Sequence, residues 1–311
     1  MTFYKRAAYA IAEHGFLEAL CRGARKLSKE PEIPPVDLDR LKEEYAESVR
    51  VFREKTSGID FQGLDRFLWY HTVDLGNGIV TPGRYDYRSA LSKFRFPEDM
   101  CGMNVLDIGS ATGFFSFEFE RRGARVVSVE LPSISDWDMP AGEDKEKTLR
   151  DLMEFHRVQS VEEVHYLHLE GPFRFCHTLL RSSVKRCYST VYDLSLEKLG
   201  LAAFDMIFLG DLLLHLFSPL EALSTVAPLC RGKLIIFQKI PDVTERQPLM
   251  VYLGGETRKG DSRTWWYPNR TCFVQMLRRL GFRTVDFVSE YEVVTRPDGA
   301  CNTRAVIHAA K

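Results

Sequence analysis

The chain has 311 residues, 45% of them hydrophobic, which is enough to bury the core of one large domain. A formal net charge of −1 provides no general attraction to nucleic acid or to a membrane surface. The seven cysteines are odd in number and include no Cys-x-x-Cys pair, so neither a disulfide framework nor a zinc site is indicated and a reducing cytosol is expected. No signal-peptide plan and no apolar run long enough to span a bilayer is found, so no membrane partner is expected.

Residues 1–95 are predicted to form a helical extension and a hairpin lid. Residues 1–29 have the pattern of one or two amphipathic helices, whose basic residues favour a solvated face over a role at RNA or a membrane. A proline-rich linker at 30–35 precedes a helix predicted at 38–55 from apolar residues at helical spacing. Two β-prone runs around Gly76-Asn77-Gly78 then predict a hairpin or tight turn.

The stretch Val105–Glu130 has the plan of a mononucleotide-binding βαβ unit. A buried strand ends at Gly109, a glycine turn runs to Gly113, a helix follows, and a second strand ends in Glu130. Gly123 stands where the helix needs a left-handed C-cap. The turn lets the backbone approach a ligand, and an acid about 20 residues further on suits a ribose diol. These residues therefore predict a nucleotide-cofactor site.

The charge of Asp107 indicates the kind of nucleotide. A dinucleotide fingerprint carries a third glycine for helix packing, whereas Phe114 and Phe115 follow Gly113 here. A carboxylate at the end of the first strand would repel a pyrophosphate, but it suits the ammonium and sulfonium groups of S-adenosylmethionine. A structural alternative stays open, in which Asp107 only ties down the turn through backbone hydrogen bonds.

After Glu130 the regular rhythm stops, and an insertion is predicted at about 136–186. A tract rich in histidines and aromatic residues lies within it, including His165, His168 and His177. No matching cysteine or carboxylate cluster accompanies these histidines, so no metal is expected. The insertion is predicted to cover the acceptor pocket, and its basic residues, Arg186 among them, to form a solvated face.

The doubly wound pattern then resumes. Three further strands are predicted at 185–191, 204–209 and 232–238. Asp193 suits an adenine amino group, or it caps the helix near 195–199. Ser218–Glu221 has the pattern of a capping box with the helix starting at Pro219.

The C-terminal region combines one helix and two strands. Asn269 is predicted to cap a helix that stops at Gly281. Strands at 282–288 and 303–309 have no helix between them and must pair as an antiparallel hairpin. Trp265, Trp266 and Tyr267 predict either an aromatic wall for the acceptor or the packing of a lid.

These features resemble the class I S-adenosylmethionine-dependent methyltransferases over about residues 95–311. The resemblance implies a Rossmann-like, doubly wound α/β fold at 96–311, with a seven-stranded sheet that is mostly parallel and has one antiparallel strand from the C-terminal hairpin. It also implies S-adenosylmethionine as cofactor, bound by Asp107, Gly109, Ser110, Gly113, Glu130, Asp193, Leu209, Gly210 and Leu212. The family turn commonly has glycine where Ala111 stands, and alanine fits there if its φ stays negative.

More narrowly, Trp69–Gly83, Leu214–Glu221 and Pro268–Phe282 resemble the subfamily named for the bacterial wobble-uridine tRNA carboxymethyltransferase, which uses carboxy-S-adenosylmethionine. A tyrosine that recognises the donor's carboxylate there falls at Leu214, which has no hydroxyl group. Arg304 matches a third carboxylate contact only loosely. We therefore expect the ordinary methyl donor.

A sulfonium methyl group is already activated, so the protein has mainly to hold the acceptor in line with the S–CH3 bond. A general base is needed only if the reacting atom carries a proton of high pKa. The candidates are His215 and Asp211, which share a face if their segment is helical, and then His71. His215 also has a structural alternative, tying its loop to the sheet. Trp69, Tyr70 and His71 either cover the cofactor, face the acceptor or pack in the core.

The sequence therefore favours a small-molecule O- or N-methyltransferase in the cytosol. Two alternatives stay open. One is an RNA-modifying methyl or carboxymethyl transferase, which the subfamily resemblance favours and the net charge disfavours. The other is a non-catalytic module that binds the donor.

Overall fold

The computed structural model describes residues 36–140, 143–241, 243, 246–254 and 263–311, without the side chains of residues 143 and 144. The helices and linker predicted within residues 1–35 lie outside this part of the chain. Within it, Leu38–Lys311 form one compact unit. No helix of the described residues is both long enough and apolar enough to cross a membrane.

A seven-stranded sheet lies at the centre of the described chain. The strands, including those of a separate two-stranded sheet, are β1 (Asn104–Ile108), β2 (Arg125–Glu130), β3 (Lys185–Tyr188), β4 (Phe204–Gly210), β5 (Cys230–Gln238), β6 (Met250–Tyr252), β7 (Trp266–Pro268), β8 (Thr284–Val294) and β9 (Cys301–Ala310). The large sheet has the order β3-β2-β1-β4-β5-β9-β8, and within it β9 runs opposite in direction to the other six strands. The Rossmann-like, mostly parallel sheet with one antiparallel strand is thus confirmed.

Helices connect and cover these strands. They are α1 (Leu38–Thr56), α2 (Phe114–Arg121), α3 (Glu143–His156), α4 (Val161–His165), α5 (Gly171–Leu180), α6 (Leu196–Leu199), α7 (Pro219–Val226) and α8 (Arg270–Arg279). The helix predicted at 38–55 and the cap at Asn269 are confirmed; the Asn269 side chain accepts a hydrogen bond from Cys272 N at 2.8 Å. The capping box at Ser218 is wrong. With φ −120° and ψ 70°, the Ser218 side chain makes no cap hydrogen bond, although α7 does begin at Pro219.

The short turns follow the glycines of the sequence. Gly76, Asn77 and Gly78 all have positive φ, and Leu75 N donates to Ile79 O at 2.9 Å, which confirms the tight turn. Gly123 ends α2 with φ 96°, as predicted. The final hairpin is confirmed and is longer than expected, since β8 and β9 pair from Thr284↔Ala310 to Val294↔Cys301.

Apolar side chains cover both faces of the large sheet. Phe94, Phe115, Phe119, Phe208 and Phe237 pack on one face, and each is at most 5% exposed. Burying a phenylalanine side chain contributes about 1.5–3 kcal/mol. The second core, on the other face, includes Leu209, Leu223, Phe273, Leu277 and Ile307. Because neighbouring parallel strands are in register at Ile108↔Val129 and Ile108↔Leu209, the residues that follow them meet at one edge of the sheet.

Candidate functional site

The turn after β1 is tightly wound. Gly109, Ala111 and Gly113 have φ of 75°, 48° and 88°. The amide groups of Gly109 and Ser110 both donate to Val129 O, at 3.0 and 3.2 Å, which holds the turn against the end of β2. The condition under which alanine would fit this turn, a negative φ at Ala111, is not met. An L-residue is strained there, and the compensating contact is a 2.8 Å hydrogen bond from Ala111 N to Glu130 Oε2.

Glu130 closes this turn from the neighbouring strand. It is 8% exposed, and its Oε1 accepts a further hydrogen bond from Leu131 N at 3.0 Å. Glu130 therefore occupies the predicted position at the tip of β2. In this structure its two carboxylate oxygens accept hydrogen bonds from two backbone amides, one in the turn after β1 and one in the residue that follows Glu130.

Asp107 is a buried carboxyl group, only 1% exposed. Its Oδ2 accepts a hydrogen bond from Ser116 Oγ on α2 at 2.6 Å. Burial raises the pKa of Asp107 to about 7, because removing the carboxylate from water costs more than the hydrogen bond and the Arg186 charge recover. A cation bound beside this carboxyl group would favour its ionised form.

Arg186 belongs to this site, although the sequence predicted it to be part of a solvated face. Its Nη1 donates to Ser110 Oγ at 2.7 Å and to Ser128 Oγ at 2.9 Å, and its Nη2 donates to Ala111 O at 3.2 Å. The guanidinium lies 4.0 Å from the centre of the Phe173 ring. The pairing Ser128↔Arg186 between β2 and β3 places it there, and only this register could have indicated the contact.

The loop after β4 forms the opposite wall. Leu212 Cδ1 lies 3.1 Å from where a Cβ on Gly109 would stand, so the loops after β1 and β4 touch. Gly210 has no room for a side chain, because its Cβ would meet the Phe208 ring at 2.8 Å. Leu209 points into the second core and is 1% exposed.

Asp193 lies apart from these residues. It is exposed, and its Oδ2 accepts a hydrogen bond from Thr190 Oγ1 at 2.5 Å. The alternative that Asp193 caps the following helix is wrong, because the Ser195 side chain accepts from Lys198 N at 3.2 Å and caps α6 instead.

A cleft of about 20 Å³ lies between the two loops. Its walls are formed by Tyr70, His71, Tyr87, Asp107, Gly109, Ser110, Phe115, Phe208, Gly210, Asp211 and Phe237. The structure thus brings Asp107, Gly109, Ser110 and Gly210 together with two of the three candidate bases. The cleft has room for about one water-sized group.

The three candidate bases differ in position. Asp211 has φ 46° and precedes a short 3-10 turn at Leu213–His215, so the expected helical face shared by Asp211 and His215 does not form. His215 is exposed, outside the cleft, and its Nδ1 contacts Arg263 O at 2.5 Å. His71 is 5% exposed, and burial lowers its pKa to about 3.

Asp211 forms a buried ion pair with Arg304. Arg304 Nε donates to Asp211 Oδ2, and both side chains are 11% exposed. Burial raises the pKa of Asp211 above its ordinary value, although the Arg304 charge acts against this. Tyr291 stands directly opposite Arg304 in the β8–β9 register and stacks on Phe237 at 5.5 Å.

The aromatic run at 265–267 connects several loops. Trp265 is 6% exposed and its Nε1 donates to Asp138 O at 2.8 Å; Trp266 Nε1 donates to Phe217 O at 3.1 Å. These contacts favour the packing of a lid over an open aromatic wall. Within the described residues no three His, Cys, Asp or Glu side chains are placed to hold a metal ion, and His168 of the histidine tract contacts His156.

A larger cavity of about 810 Å³ lies beside α1. Its walls include Tyr45, Phe52, Phe67, Trp69, Phe155 and Arg296. None of the predicted site residues lines it, so its size does not make it the reaction site.

No protein-family model matches the sequence, and no curated protein matches it either. Among solved structures, the chain is similar to a magnesium protoporphyrin IX methyltransferase from Synechocystis PCC 6803 with bound SAM, at 14% identity and a TM-score of 0.39, covering 72% of this chain and 76% of that one. It is also similar to the N-terminal domain of EvdMO1 with SAH bound, at 15% identity and a TM-score of 0.43, covering 85% and 96% of the two chains. The pyocyanin biosynthetic protein PhzM is a third, at 15% identity and a TM-score of 0.40, covering 72% and 55%.

Proposed function

We propose that this protein is an S-adenosylmethionine-dependent methyltransferase acting on an O or N atom of a small-molecule acceptor. The observation that carries the proposal is the buried Asp107 carboxyl group, beside a glycine turn and on the wall of a cleft at the carboxyl edge of the sheet. A buried anion needs a compensating cation, and the donor carries an ammonium and a sulfonium group. The donor supplies the activated methyl group, so the chain has to bind the donor and the acceptor, orient them and exclude water.

The roles of the donor-site residues follow from their positions. Asp107 faces the cationic end, Gly109, Ser110 and Gly113 form the turn, and Gly210 and Leu212 form the facing wall. Glu130 binds the ribose diol; each carboxylate oxygen has a second lone pair, so the bonds to Ala111 N and Leu131 N need not break. Asp193 reaches the adenine from the rim, and Leu209 acts only by anchoring Gly210.

The small size of the cleft has a consequence for entry. About 20 Å³ holds only about one water-sized group, so the loops at this edge must separate for the donor to bind. Tyr70, His71 and Tyr87 precede β1 yet line the cleft. This supports a lid role for the second half of residues 1–95 over the domain at 96–311, with the insertion at about 136–186 packed beside the donor loop through Phe173.

The ordinary donor is favoured over its carboxylated form. Arg304, which would have to bind the extra carboxylate, is already paired with Asp211. Leu214 is buried and has no hydroxyl group to offer. Neither the RNA-modifying alternative nor the non-catalytic one is favoured by a feature of the described residues.

The donor site is tested with S-adenosylhomocysteine by calorimetry. We expect Asp107→Ala and Glu130→Ala each to weaken binding at least about tenfold, since each removes a charged hydrogen-bonding partner. Asp205→Ala is the matched control, because Asp205 lies at the opposite end of β4 and pairs with Arg231. Unchanged affinity in the Asp107 or Glu130 variant contradicts the site assignment.

The acceptor class is tested with donor labelled in its methyl group and separated RNA and small-metabolite fractions. Label in a small metabolite is the expected result. Label in RNA contradicts the proposed acceptor class. Binding of S-adenosylhomocysteine without transfer to either fraction favours the non-catalytic alternative.

A further inference from the structure

Three polar atoms near the cleft have no hydrogen-bond partner among the described residues. They are His71 Nδ1, Asp211 Oδ1 and the Tyr291 hydroxyl, and all are buried. His71 and Asp211 line the cleft, and Tyr291 packs behind Phe237 within the field of Asp211 and Arg304. A buried polar atom without a partner costs about 1–3 kcal/mol, so a ligand group that supplies partners to His71 Nδ1 and Asp211 Oδ1 would be favoured in the cleft.

The Arg304 pair determines what Asp211 can offer. Arg304 binds Oδ2 and leaves Oδ1, which is buried and has no partner, on a residue that lines the cleft. When ionised, this oxygen accepts but does not donate a hydrogen bond. Arg304 also cancels the charge of Asp211, so this part of the cleft does not attract an anionic acceptor. Arg304 is therefore a positioning residue, which orients the carboxylate.

The neighbouring His71 limits the acceptor further. The ring is neutral, and with the proton on Nδ1 it donates one hydrogen bond into the cleft. A hydroxyl oxygen has one proton and two lone pairs. It can donate to Asp211, accept from His71 and still direct one lone pair at the methyl carbon. A neutral amine nitrogen has a single lone pair, which methyl transfer requires.

We propose that the cleft receives one neutral hydroxyl group of the acceptor, held between Asp211 Oδ1 and His71 Nδ1, and that Asp211 takes its proton. This inference rests on the proposed function. As the oxygen forms its bond to the methyl carbon, the methyl–sulfur bond breaks and its electron pair goes to sulfur. The hydroxyl proton passes to Asp211 Oδ1, so a sulfonium and a carboxylate become a thioether and a carboxylic acid.

Because the cleft is small and has aromatic walls, small aromatic compounds are suitable probes of the acceptor site. Phenol carries the hydroxyl group, aniline an amine, anisole a methyl ether and benzoate a negative charge. Binding of each to the full-length protein saturated with S-adenosylhomocysteine is measured by saturation-transfer NMR titration. We expect phenol to bind at least about tenfold more tightly than the other three, the value of one hydrogen bond to a charged group.

Variants assign the effect to Asp211. Asp211→Asn should weaken phenol binding about tenfold and leave anisole unchanged. Asp205→Asn should change neither, since this carboxylate–arginine pair lies at the other end of β4. If Asp211→Asn does not fold, the ranking of the four compounds on the wild-type protein still decides.

The outcomes separate the two proposals. If S-adenosylhomocysteine does not bind the wild-type protein, the proposed function fails. If it binds, and aniline, anisole or benzoate binds as tightly as phenol, or phenol does not bind at all, the hydroxyl site is overturned. Equal phenol affinity in a folded Asp211→Asn variant also overturns it.

Discussion

Asp107 shows how a single residue can be placed at a cost to stability. Its carboxyl group is buried and accepts a hydrogen bond from Ser116, and its pKa is raised to about 7. In an unfolded chain an aspartate has a pKa of about 3.9. The folded protein therefore binds more protons than the unfolded chain between these two values. This group's contribution to stability falls as the pH rises from about 4 to about 7.

Asp107→Asn should therefore stabilise the free protein, and more so at high pH. About three pKa units correspond to as much as about 4 kcal/mol in the free energy of unfolding at pH 8, and to much less at pH 5. Urea denaturation at both pH values measures this difference. Asp205→Asn is a control of opposite sign, because hydrogen bonding to Arg231 lowers the pKa of Asp205. An equal gain at pH 5 and pH 8 would contradict the raised pKa.

At the scale of the element, the turn after β1 combines two glycines and one strained alanine. Glycine suits φ of 75° at Gly109 and 88° at Gly113, and at Gly113 a Cβ would also meet the Phe117 and Phe173 rings at 2.7 Å. Ala111 adopts φ 48° without that freedom. Its amide hydrogen bond to Glu130 and its carbonyl contact with Arg186 hold the strained conformation in place.

Ala111→Gly should raise the free energy of unfolding by about 0.5–1 kcal/mol, because relief of left-handed strain exceeds the added entropy of the unfolded chain. Ala90→Gly, in the short helix Arg88–Phe94 where φ is negative, should lower it. Chemical denaturation of both variants at one pH makes the comparison. A loss of stability in Ala111→Gly would show that the turn is not strained.

At the scale of the whole molecule, Asp138 joins three segments that lie next to different strands. Its Oδ2 accepts hydrogen bonds from Tyr192 Oη at 2.5 Å and from Phe217 N at 2.7 Å, and its carbonyl accepts from Trp265 Nε1. Tyr192 follows β3, Phe217 follows β4, and Trp265 immediately precedes β7. Asp138 therefore ties these segments together at the edge where we propose that the donor enters.

Removing this side chain should loosen the edge without unfolding the sheet. Asp138→Ala should speed amide hydrogen exchange about tenfold in residues 131–140 and at Phe217, the effect of losing about 1.4 kcal/mol of local stability. Exchange in β1 and β4 should not change. Asp136→Ala, an exposed position in the same loop, is the control. Equal exchange in the two variants would exclude this role of Asp138.

Most of the fold and half of the candidate site followed from local patterns in the sequence. The alternation of apolar strands with helices, the glycine turn and the consecutive final strands each depend on neighbouring residues, so the sheet and its antiparallel hairpin were predictable. The sequence also predicted the site residues that lie within one βαβ unit, namely Asp107, Gly109, Ser110 and Glu130.

Only the tertiary structure decided the contacts that cross between distant segments. Asp211 and Arg304 are 93 positions apart in the sequence, and Ser110 and Arg186 are 76 apart, and no periodic signal links the members of either pair. These pairs form because strand order and register bring the ends of β4 and β9, and of β1 and β3, to one region of the sheet. Tertiary packing likewise decides local properties that residue type does not reveal. Examples are the left-handed conformation of Ala111, the exposure of His215 and the lack of a hydrogen-bond partner at Asp211 Oδ1. Residue type and spacing determined the scaffold of the site, and long-range packing determined which side chains face the cleft.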